Sequence, residues 1–493
     1  MAAKFYKASN LKGWWAKYNK GSPAKQLGIL CWGDSVVFGV GSDGVFGGAG
    51  EEKNQWQNSW VALTRAAIAA KTGVDPGPGF IALNDATGRV ELSGGPLHND
   101  MSPVQVAREL TSSKFFKIVK AQMGTWRYLD VISYWNGASE LTEPITVKLD
   151  EGAAVEKDHG AEIADGYAVD TFDAGSLAEH FAEIKGKLSG KPGILAGVVP
   201  RKTDTGVLVH RAGVKGNSTR KFFGQTGSFN PATPWDKATK ERVVNSLLAT
   251  GADLLVFMGP TNDMGEGASS SPTILKENLD FLLDIWEAKG KHAVLLTDPA
   301  APVDGSPSTE ADYWTAYMQL CNEHPQTAAS DVKEWLGGTY AASKAAGYQA
   351  EEVHPTKLGH EKIANELVPL LTEEQEEKMA EVKRTPDVPT ASGLEPTVIE
   401  GMNTADVQII ANKRGNVLLS VKNESAEATE VTIITPNTVN GNAIADKVVS
   451  VPASKTRKIG PFAQSTYNNK KGNLEVKFSK TTSIKLEVTE VTL

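Results

Sequence analysis

The chain has 493 residues, of which 40% are hydrophobic and 22% are charged, and its formal net charge is −8. That length is too great for one hydrophobic core, so we expect roughly two to four domains, and the composition excludes a disordered chain. The acidic balance excludes a protein that binds nucleic-acid phosphates through a basic face.

The N-terminal residues are polar and include a tryptophan pair, Trp14 and Trp15, with neither a secretory hydrophobic region nor a long apolar span. We therefore expect a protein made in the cytosol without a cleaved signal and without a membrane partner. The 2 cysteines, Cys31 and Cys321, lie far apart, which indicates reduced thiols in the core. The histidines show no metal-binding spacing, so we predict neither a metal nor a cofactor.

Buried strands followed by helices predict a parallel α/β sheet. The first strand, Gly28 to Trp32, ends at Gly33-Asp34-Ser35 and a glycine-rich loop, and a helix that carries Trp60 follows. The same alternation of strand and helix returns after residue 205. Its predicted strands are Leu254 to Met258 and His292 to Leu296, and its predicted helices are Ile274 to Trp286, Glu310 to Cys321 and Leu358 to Leu371.

Residues 76–204 interrupt this alternation with short β segments separated by turn residues, and we interpret them as an inserted β-sandwich. The segments are Phe115 to Ala121, Tyr128 to Tyr134, Pro144 to Leu149 and Gly193 to Val199. Alternating aromatic residues in a strand fit either a core or a platform for a carbohydrate substrate. Both roles stay open for four residues: Trp126, Tyr128, Tyr134 and Trp135.

The C-terminal part alternates polar and apolar residues in about seven short strands, which is typical of an immunoglobulin-like (Ig-like) sandwich, and we expect it to be an attachment module. A charged helix, Thr372 to Lys383, and a proline-containing linker are predicted to precede it. The predicted domains are an α/β domain (1–75 and 205–384), the inserted β-sandwich (76–204), the linker (385–396) and the C-terminal β domain (397–493).

Four residues at strand ends and in loops have the chemistry of a serine esterase. A serine hydroxyl needs a base to remove its proton and donors to receive the charge of the oxyanion. Ser35 follows the first buried strand, and Asn262, whose amide can donate to an oxyanion, follows another. Gly216 lies in a glycine-containing loop that allows close backbone approach. His354 precedes a helix, where a nearby carboxylate can hold a general base.

The motifs around these residues, in this order, resemble those of the SGNH (GDSL-like) hydrolases. They are Gly33-Asp34-Ser35, the turn Gly216-Asn217, Gly259-x-x-Asn262-Asp263 and Glu351-x-x-His354-Pro355. The resemblance covers about residues 25 to 75 and 205 to 372. It implies a flavodoxin-like three-layer fold with Ser35 as nucleophile and His354 as base. It also implies that the oxyanion donors are the backbone amides of Ser35 and Gly216 and the side chain of Asn262.

The chain departs from this family at the acid of the catalytic triad. The family usually has Asp three residues before the histidine, whereas this chain has Glu351, with Glu352 beside it. Glutamate is one methylene longer, so its carboxylate either orients the imidazole of His354 or swings away and leaves a Ser-His dyad. Because the acid mainly fixes the tautomer and stabilises the imidazolium, a dyad would be slower but still active.

Each of these residues also has a structural interpretation. Ser35 can be a helix cap in a degenerate fold, and Asn262 and Gly216 can be turn residues. The acids beside the site, Asp34 and Asp263, are expected to brace loops. We expect the other histidines to be structural: His98, His159, His180, His210, His292, His324 and His360.

Two further resemblances concern the biological role. The inserted β domain is similar to those of certain phage tailspike and bacterial esterases that remove O-acetyl groups from glycans. The C-terminal segments Gly415 to Leu418 and Lys458 to Phe462 are similar to small β domains of tailed-phage head proteins. These resemblances imply a virion-associated esterase that deacylates a host surface polysaccharide, alone or as a homo-oligomer. Its C-terminal domain would bind phage particle proteins.

Two alternatives to this function stay open. One is a capsid decoration or adhesion protein that retains the hydrolase fold with little or no activity. The other is a lipid esterase, which is less favoured because nothing in the sequence indicates an apolar lid or a membrane surface.

Overall fold

The computed structural model describes most of the chain. The described residues are 5–21, 26–40, 42, 55–81, 90–93, 97–98, 107–119, 123–136, 144–157, 159, 165–187, 193–223, 236–265, 271–299, 309–349, 353–374, 381–390, 394–400, 402, 407–436, 438–439 and 442–491.

A five-stranded parallel sheet organises the first part of the chain. Its strands are β1 (Leu27–Gly33), β12 (Val207–Gly213), β13 (Leu254–Met258), β14 (His292–Leu296) and β15 (Thr327–Ser330). They lie in the order β12-β1-β13-β14-β15, and all neighbouring pairs are parallel. Numbered by their order in the chain, this is the 2-1-3-4-5 arrangement of flavodoxin-like folds. The predicted α/β class with a parallel central sheet is confirmed.

Apolar residues on both faces of the sheet explain why helices cover it on both sides. All residues of β1 are buried, with Ile29 and Cys31 facing one core and Leu30 and Trp32 facing the other. The helices are α1 (Lys12–Gly21), α2 (Ser35–Phe38), α3 (Gln55–Asn58), α4 (Trp60–Thr72), α5 (Thr219–Phe222), α6 (Lys237–Leu248), α7 (Thr261–Gly265), α8 (Pro272–Ala288), α9 (Glu310–Glu323), α10 (Val332–Trp335), α11 (Tyr340–Ala345) and α12 (Lys357–Thr372), preceded by the 3-10 turn Ala8–Leu11.

The two cores separate the helices into two layers. Helices α1, α4 and α12 pack on one face of the sheet, where Trp14, Trp60 and Leu367 are buried. Helices α6, α8 and α9 pack on the other face, where Leu247 and Trp286 are buried. Helices α8, α9 and α12 coincide with the three helices predicted from the sequence, because a helical repeat of apolar residues faces the sheet in each. The result is a three-layer arrangement.

Between α4 and β12 the chain forms two antiparallel five-stranded sheets that share one core. Their orders are β2-β5-β10-β7-β8 and β3-β4-β11-β6-β9. Phe116 and Val147 from the first sheet meet Trp126 and Leu195 from the second in this core, as in a sandwich. The strands are β2 (Val90–Leu92), β3 (Leu97–His98), β4 (Ala107–Leu110), β5 (Phe115–Ile118), β6 (Thr125–Asn136), β7 (Ile145–Leu149), β8 (Val155–Lys157), β9 (Asp165–Glu179), β10 (Ala182–Gly186) and β11 (Gly193–Arg201).

The inserted sheets are part of the same compact unit as the parallel sheet, which spans Met1–Glu376. The outer face of the second sheet packs on the α/β core, where Ile132 and Ala196 join the cluster around Trp32. The Tyr167 hydroxyl also donates to the Arg242 carbonyl at 3.3 Å. The insertion is therefore attached to the α/β part by a continuous apolar core.

Residues Glu377–Leu493 form the second compact unit, which we call the C-terminal unit. Two sheets, β16-β17-β24-β19-β22 and β23-β18-β25, supply one apolar core that contains Val421, Val431 and Phe462. The elements are β16 (Glu381–Arg384), β17 (Val407–Ala411), β18 (Val417–Asn423), β19 (Thr429–Ile433), β20 (Thr438–Val439), β21 (Asn442–Ala443), β22 (Lys447–Val451), β23 (Lys455–Ile459), α13 (Gln464–Tyr467), β24 (Asn473–Phe478) and β25 (Ile484–Glu490). The β character is confirmed, and the Ig-like assignment stays a prediction.

The predicted boundary between the two units is wrong. The structure divides the chain between residues 376 and 377, and the end of the predicted charged helix forms β16, which pairs in parallel with β17. The predicted linker 385–396 also belongs to the C-terminal unit, because the Asp387 N–H donates to the Val488 carbonyl at 2.8 Å. Pairing with β17 overrides the helix propensity of this glutamate-rich segment.

Two expectations from the sequence concern the cysteines and membrane-spanning helices. Both cysteines, Cys31 and Cys321, are buried free thiols, as predicted. Burial raises the pKa of each thiol, which makes them unreactive core residues. Within the described part of the chain, no helix is both long enough and apolar enough to cross a membrane.

Candidate active site

Ser35 lies where β1 ends, at the carboxyl edge of the parallel sheet. The exit from the strand needs glycine at position 33, because a Cβ there would lie 2.2 Å from the Met258 carbonyl oxygen. Asp34 caps α2, since its Oδ1 accepts the Val36 N–H at 2.8 Å. The cap is therefore Asp34 and not Ser35, so the interpretation of Ser35 as a capping residue is wrong.

The hydroxyl of Ser35 meets the imidazole of His354 across 319 residues of sequence. Ser35 Oγ lies 2.9 Å from His354 Nε2. His354 is held just before α12, whose capping residue Thr356 accepts the Gly359 N–H at 3.2 Å. A neutral imidazole nitrogen at this distance can accept the hydroxyl proton, as a general base must. The geometry therefore fits a nucleophile and its base.

Asn262 connects the two loops on either side of Ser35. It lies in α7, after β13, and its Nδ2 donates to Asp34 Oδ2 at 3.1 Å and to the Asn217 carbonyl at 2.9 Å. An amide nitrogen carries two hydrogens, so both donate to acceptors within the protein. Ser35 and Asn262 flank the point between β1 and β13 where the strand order reverses, which is where ligands bind in such sheets.

Gly216 lies in the turn that carries Asn217. Its φ is 71°, in the left-handed region that favours glycine, and a Cβ there would meet no described atom within 4 Å. The Lys221 ammonium donates to the Gly216 carbonyl at 2.8 Å. Asn262 therefore bonds to the covalent neighbours of the other two predicted oxyanion residues: Asp34, which precedes Ser35, and Asn217, which follows Gly216.

Buried carboxylates hold the loops of the site from below, as expected for Asp34 and Asp263. Asp263 accepts the Thr219 hydroxyl at 2.6 Å and the Thr219 N–H at 3.0 Å, which fixes the start of α5. A third acid, Asp298, follows β14 and accepts the Thr261 N–H at 2.6 Å.

Burial raises the pKa of Asp34 well above its usual range, and the neighbouring Asp298 raises it further. Burial also raises the pKa of Asp298 to about 7.

Asp298 was not among the residues predicted from the sequence, although a signal for it exists. It comes two residues after the predicted strand His292 to Leu296, and the carboxyl ends of parallel strands share one edge of the sheet. The same rule that selected Ser35 and Asn262 therefore selects Asp298.

The predicted orienting acid, Glu351, and its neighbour Glu352 lie outside the described residues. The choice between a triad and a dyad therefore stays a prediction.

His360 is a structural histidine, as expected. Its Nδ1 accepts the Trp60 N–H at 3.2 Å, and its Nε2 lies 3.0 Å from the Val40 carbonyl oxygen. These contacts join α12 to the start of α4 and to the loop after α2. Burial lowers the pKa of His360 to about 4, so the side chain is neutral at pH 7.

The proposed carbohydrate platform in the insertion is wrong for three of its four aromatic residues. Trp126, Tyr134 and Trp135 are buried in the core, so they present no open ring face. Tyr128 is half-buried, and the guanidinium carbons of Arg127 and Arg201 lie 4.9 Å and 5.1 Å from the centre of its ring. The period of two in β6 identified these residues, but it does not distinguish a core face from a binding face.

Within the described residues, one group of side chains has the spacing of metal ligands. Asp280, Asp284 and His324 place one ligand atom each within 4.8 Å of the others. His324 Nε2 lies 2.9 Å from Asp280 Oδ1, so a hydrogen bond between these two residues already explains their proximity. The group lies on α8 and at the end of α9, and none of the predicted site residues belongs to it.

No protein-family model matches the chain, and no curated protein matches it. Among solved structures, the chain is similar to a peptidoglycan O-acetylesterase, with a TM-score of 0.53 and 16% identity over 74% of this chain and 96% of that one. It also matches a family two carbohydrate esterase from Cellvibrio japonicus (TM-score 0.24, 14% identity, 60% of this chain and 97% of that one). The first likeness shows the fold, and the TM-score of the second supports no conclusion.

Proposed function

We propose that the protein is an SGNH-type serine esterase that removes acyl groups, acetyl groups in the first place, from a polysaccharide. The observation that carries the proposal is the 2.9 Å contact between Ser35 Oγ and His354 Nε2 at the carboxyl edge of the parallel sheet. The bonds of Asn262 to Asp34 and Asn217 add the amide that such a site needs for an oxyanion. The structure that shares the fold belongs to an enzyme that acts on O-acetyl groups of peptidoglycan, which supports the choice of substrate class.

The proposed reaction has two steps. Ser35 Oγ attacks the carbonyl carbon of the ester while His354 Nε2 takes the hydroxyl proton, and the sugar alcohol leaves with that proton. Water then attacks the acyl-Ser35 ester, again with His354 as base, and carboxylic acid and free Ser35 result. In both steps the negative charge of the tetrahedral oxygen is received by the N–H groups of Ser35 and Gly216 and by Asn262.

The role of Asn262 requires an exchange of hydrogen bonds. Because both of its amide hydrogens already donate within the protein, one has to turn from Asp34 or from Asn217 to the oxyanion. The charge of the oxyanion makes the new bond stronger than a bond to a neutral carbonyl. Because burial also holds Asp34 towards its neutral form, this argument applies to the bond with either acceptor.

The proposal is tested by acetate release from a panel of acetylated bacterial polysaccharides and from a small acetyl ester. We expect Ser35→Ala to lower kcat by on the order of 10⁴-fold or more, since the nucleophile is lost. The matched control is Ser246→Ala, whose hydroxyl only donates to the Val243 carbonyl in α6. Activity of Ser35→Ala within about tenfold of the parent would contradict the assignment, and an inactive parent protein would favour the decoration or adhesion alternative.

We further propose that the C-terminal unit attaches the enzyme to a tailed-phage particle. The support is the resemblance carried by Gly415 to Leu418 and Lys458 to Phe462, which lie at the start of β18 and around the end of β23. The test is competition: a fragment of residues 377–493 should compete with the whole protein for binding to phage particles from which this protein is missing. Failure of this fragment to bind such particles would contradict the attachment role without affecting the esterase proposal.

A further inference from the structure

The loop between β12 and α5 carries Gly216, whose backbone N–H is one of the proposed oxyanion donors. Gly216 has no side chain that could hold it, and no described atom lies within 4 Å of the point where a Cβ would be. The Lys221 ammonium that binds its carbonyl is exposed. At the entry of the loop, the Val214 N–H donates to the Gly33 carbonyl at 2.9 Å. The direction of the Gly216 N–H therefore depends on how the residues before and after it are held.

The exit of the loop is held at Thr219, the first residue of α5. Both of its polar donors bind Asp263: the hydroxyl donates to Oδ1 at 2.6 Å and the backbone N–H donates to Oδ2 at 3.0 Å. Thr219 is completely buried, and Asp263 is 2% exposed. Hydrogen bonds in such a buried position are electrostatically stronger than the same bonds in water. Two bonds to one acid therefore fix both the position and the orientation of Thr219.

Helix α5 cannot hold its own start in place. It has 4 residues, and so short a helix is unstable unless other parts of the protein hold it. Its end is held by Phe222, which is 1% exposed and whose ring centre lies 4.3 Å from that of Trp32. This contact holds the end of the helix. The start of the helix, and with it the exit of the loop, depends on the bonds between Thr219 and Asp263.

Asp263 also links the loop to the second oxyanion donor, because it directly follows Asn262 in α7. The Asn262 side chain donates to the Asn217 carbonyl at 2.9 Å, so these two neighbours of α7 bind the loop on the C-terminal side of Gly216. One of the two bonds of Asn262 has to be exchanged when the oxyanion forms. The bonds of Asp263 take no part in that exchange, so they can hold the loop throughout the reaction.

We propose that Asp263, acting through Thr219, is a positioning residue of the esterase, which holds the loop so that the Gly216 N–H points to the oxyanion. The inference rests on the proposed function for the role of this N–H in catalysis, whereas the holding of the loop can be measured without hydrolysis. Loss of either partner should lower kcat and leave KM nearly unchanged, because an ester in the ground state carries no oxyanion.

The kinetic test measures kcat and KM of the full chain on a small acetyl ester. Thr219→Val removes the hydroxyl at nearly constant volume, and we expect kcat to fall about tenfold or more with KM within about twofold of the parent. Asp263→Ala removes both bonds, and kcat should fall on the order of 10²-fold. Thr219→Ser keeps the hydroxyl and should stay within about twofold of the parent. The matched control is Thr297→Val, which removes a similar bond, from the Thr297 hydroxyl to Asp331 Oδ1 at 2.7 Å, after β14; it should leave kcat unchanged.

The order of the loop is measured independently of activity, by NMR on protein that carries nitrogen-labelled glycine. The signal of the Gly216 amide is assigned through its loss in Gly216→Ala. We expect the heteronuclear NOE of this amide to be high in the parent, in Thr219→Ser and in Thr297→Val. It should be clearly lower in Thr219→Val and Asp263→Ala, because the start of α5 is released and the loop moves on a faster timescale.

The two measurements separate the positioning role from the proposed activity. A Gly216 amide that is equally ordered in Thr219→Val and Asp263→Ala overturns the positioning role, and so does an unchanged kcat of these variants in an active protein. Thr219→Val against Thr219→Ser decides the matter if Asp263→Ala does not fold. An inactive parent whose Gly216 amide loses order in Thr219→Val supports the holding of the loop by Asp263 and contradicts the esterase instead.

Discussion

Carboxylates at the edge of the parallel sheet and carboxylates in the C-terminal unit are in opposite electrostatic conditions. Burial raises the pKa of both Asp34 and Asp298. In the C-terminal unit, Glu424 and Glu427 are on the surface, where hydrogen bonds from lysine side chains lower their pKa values. The same chemical group is therefore held towards its neutral form in one region and towards its charged form in the other.

This difference distinguishes the candidate active site at the edge of the parallel sheet from the C-terminal unit. A buried carboxylate is unfavourable unless it is hydrogen-bonded, so its presence indicates a geometric task. Asp34 holds Asn262, and Asp298 holds the N–H of Thr261. The buried polar side chains described in the C-terminal unit are amides and hydroxyls, such as Asn412, which donates to the Phe462 carbonyl at 3.0 Å. Such neutral groups stabilise a fold and carry no acid-base chemistry.

The largest effect after Ser35→Ala is expected at the base and its predicted acid. His354→Ala should lower kcat by on the order of 10⁴-fold or more. The loss of kcat in Glu351→Ala should be roughly 10–100-fold smaller than the loss in His354→Ala, because an orienting acid only positions the base and stabilises its charged form. Both are measured as kcat on a small acetyl ester, with Glu352→Ala as the matched control. A greater loss in Glu352→Ala would move the acid to Glu352, and no loss in either variant would indicate a dyad.

A smaller loss is expected for Asn262→Ala. Removing one oxyanion donor lowers kcat by about 10²–10³-fold with little change in KM, because the donor acts in the transition state. Asn262→Ala also removes the bonds to Asp34 and Asn217, so Asn217→Ala, which keeps its backbone carbonyl, is the control for the loop. A raised KM with an unchanged kcat would make Asn262 a substrate contact.

Two of the residues that the sequence motifs select, Ser35 and Asn262, follow buried strands. A fully apolar run such as β1 fixes where the chain leaves the sheet, and the motif then identifies Ser35. The same rule places Asp298 at this edge of the sheet, but its contact with Thr261 depends on β13 and β14 being neighbours in the sheet. The aromatic residues of β6 could not be assigned to a core or to a binding face from the sequence, since their burial depends on the sheet that faces them. β16 could not be predicted either, because its partner strand lies more than twenty residues away.

The buried carboxylates predict a dependence of stability on pH. Burial raises the pKa of Asp298 to about 7, so the folded protein binds a proton that the unfolded chain releases near pH 4. The contribution of this bound proton to the free energy of unfolding is fully present below pH 4 and is lost as the pH rises through 7. Asp298→Asn removes the titration, so its free energy of unfolding relative to the parent should rise from pH 5 to pH 8 by on the order of 1–3 kcal/mol.

Urea unfolding at the two pH values measures this difference, and Asp284→Asn, on the exposed surface of α8, is the control. A relative stability that is the same at pH 5 and pH 8 would mean that Asp298 is not held towards its neutral form. The contrast between buried carboxylates at the sheet edge and surface carboxylates in the C-terminal unit would then not hold for Asp298.

The smallest effect is expected from removing the C-terminal unit. If the chemistry belongs to the parallel sheet alone, residues 1–376 should keep kcat and KM for a small acetyl ester within about twofold of the whole chain, since compact units with their own cores fold separately.

The complementary fragment must begin at 377, because a fragment that begins at 397 lacks β16, which pairs with β17. We expect residues 377–493 to be β-rich by circular dichroism and inactive, and a fragment of residues 397–493 to unfold at a lower temperature. Loss of esterase activity from a folded 1–376 fragment would show that the C-terminal unit contributes to the active site, and its interpretation as an attachment module would have to be abandoned.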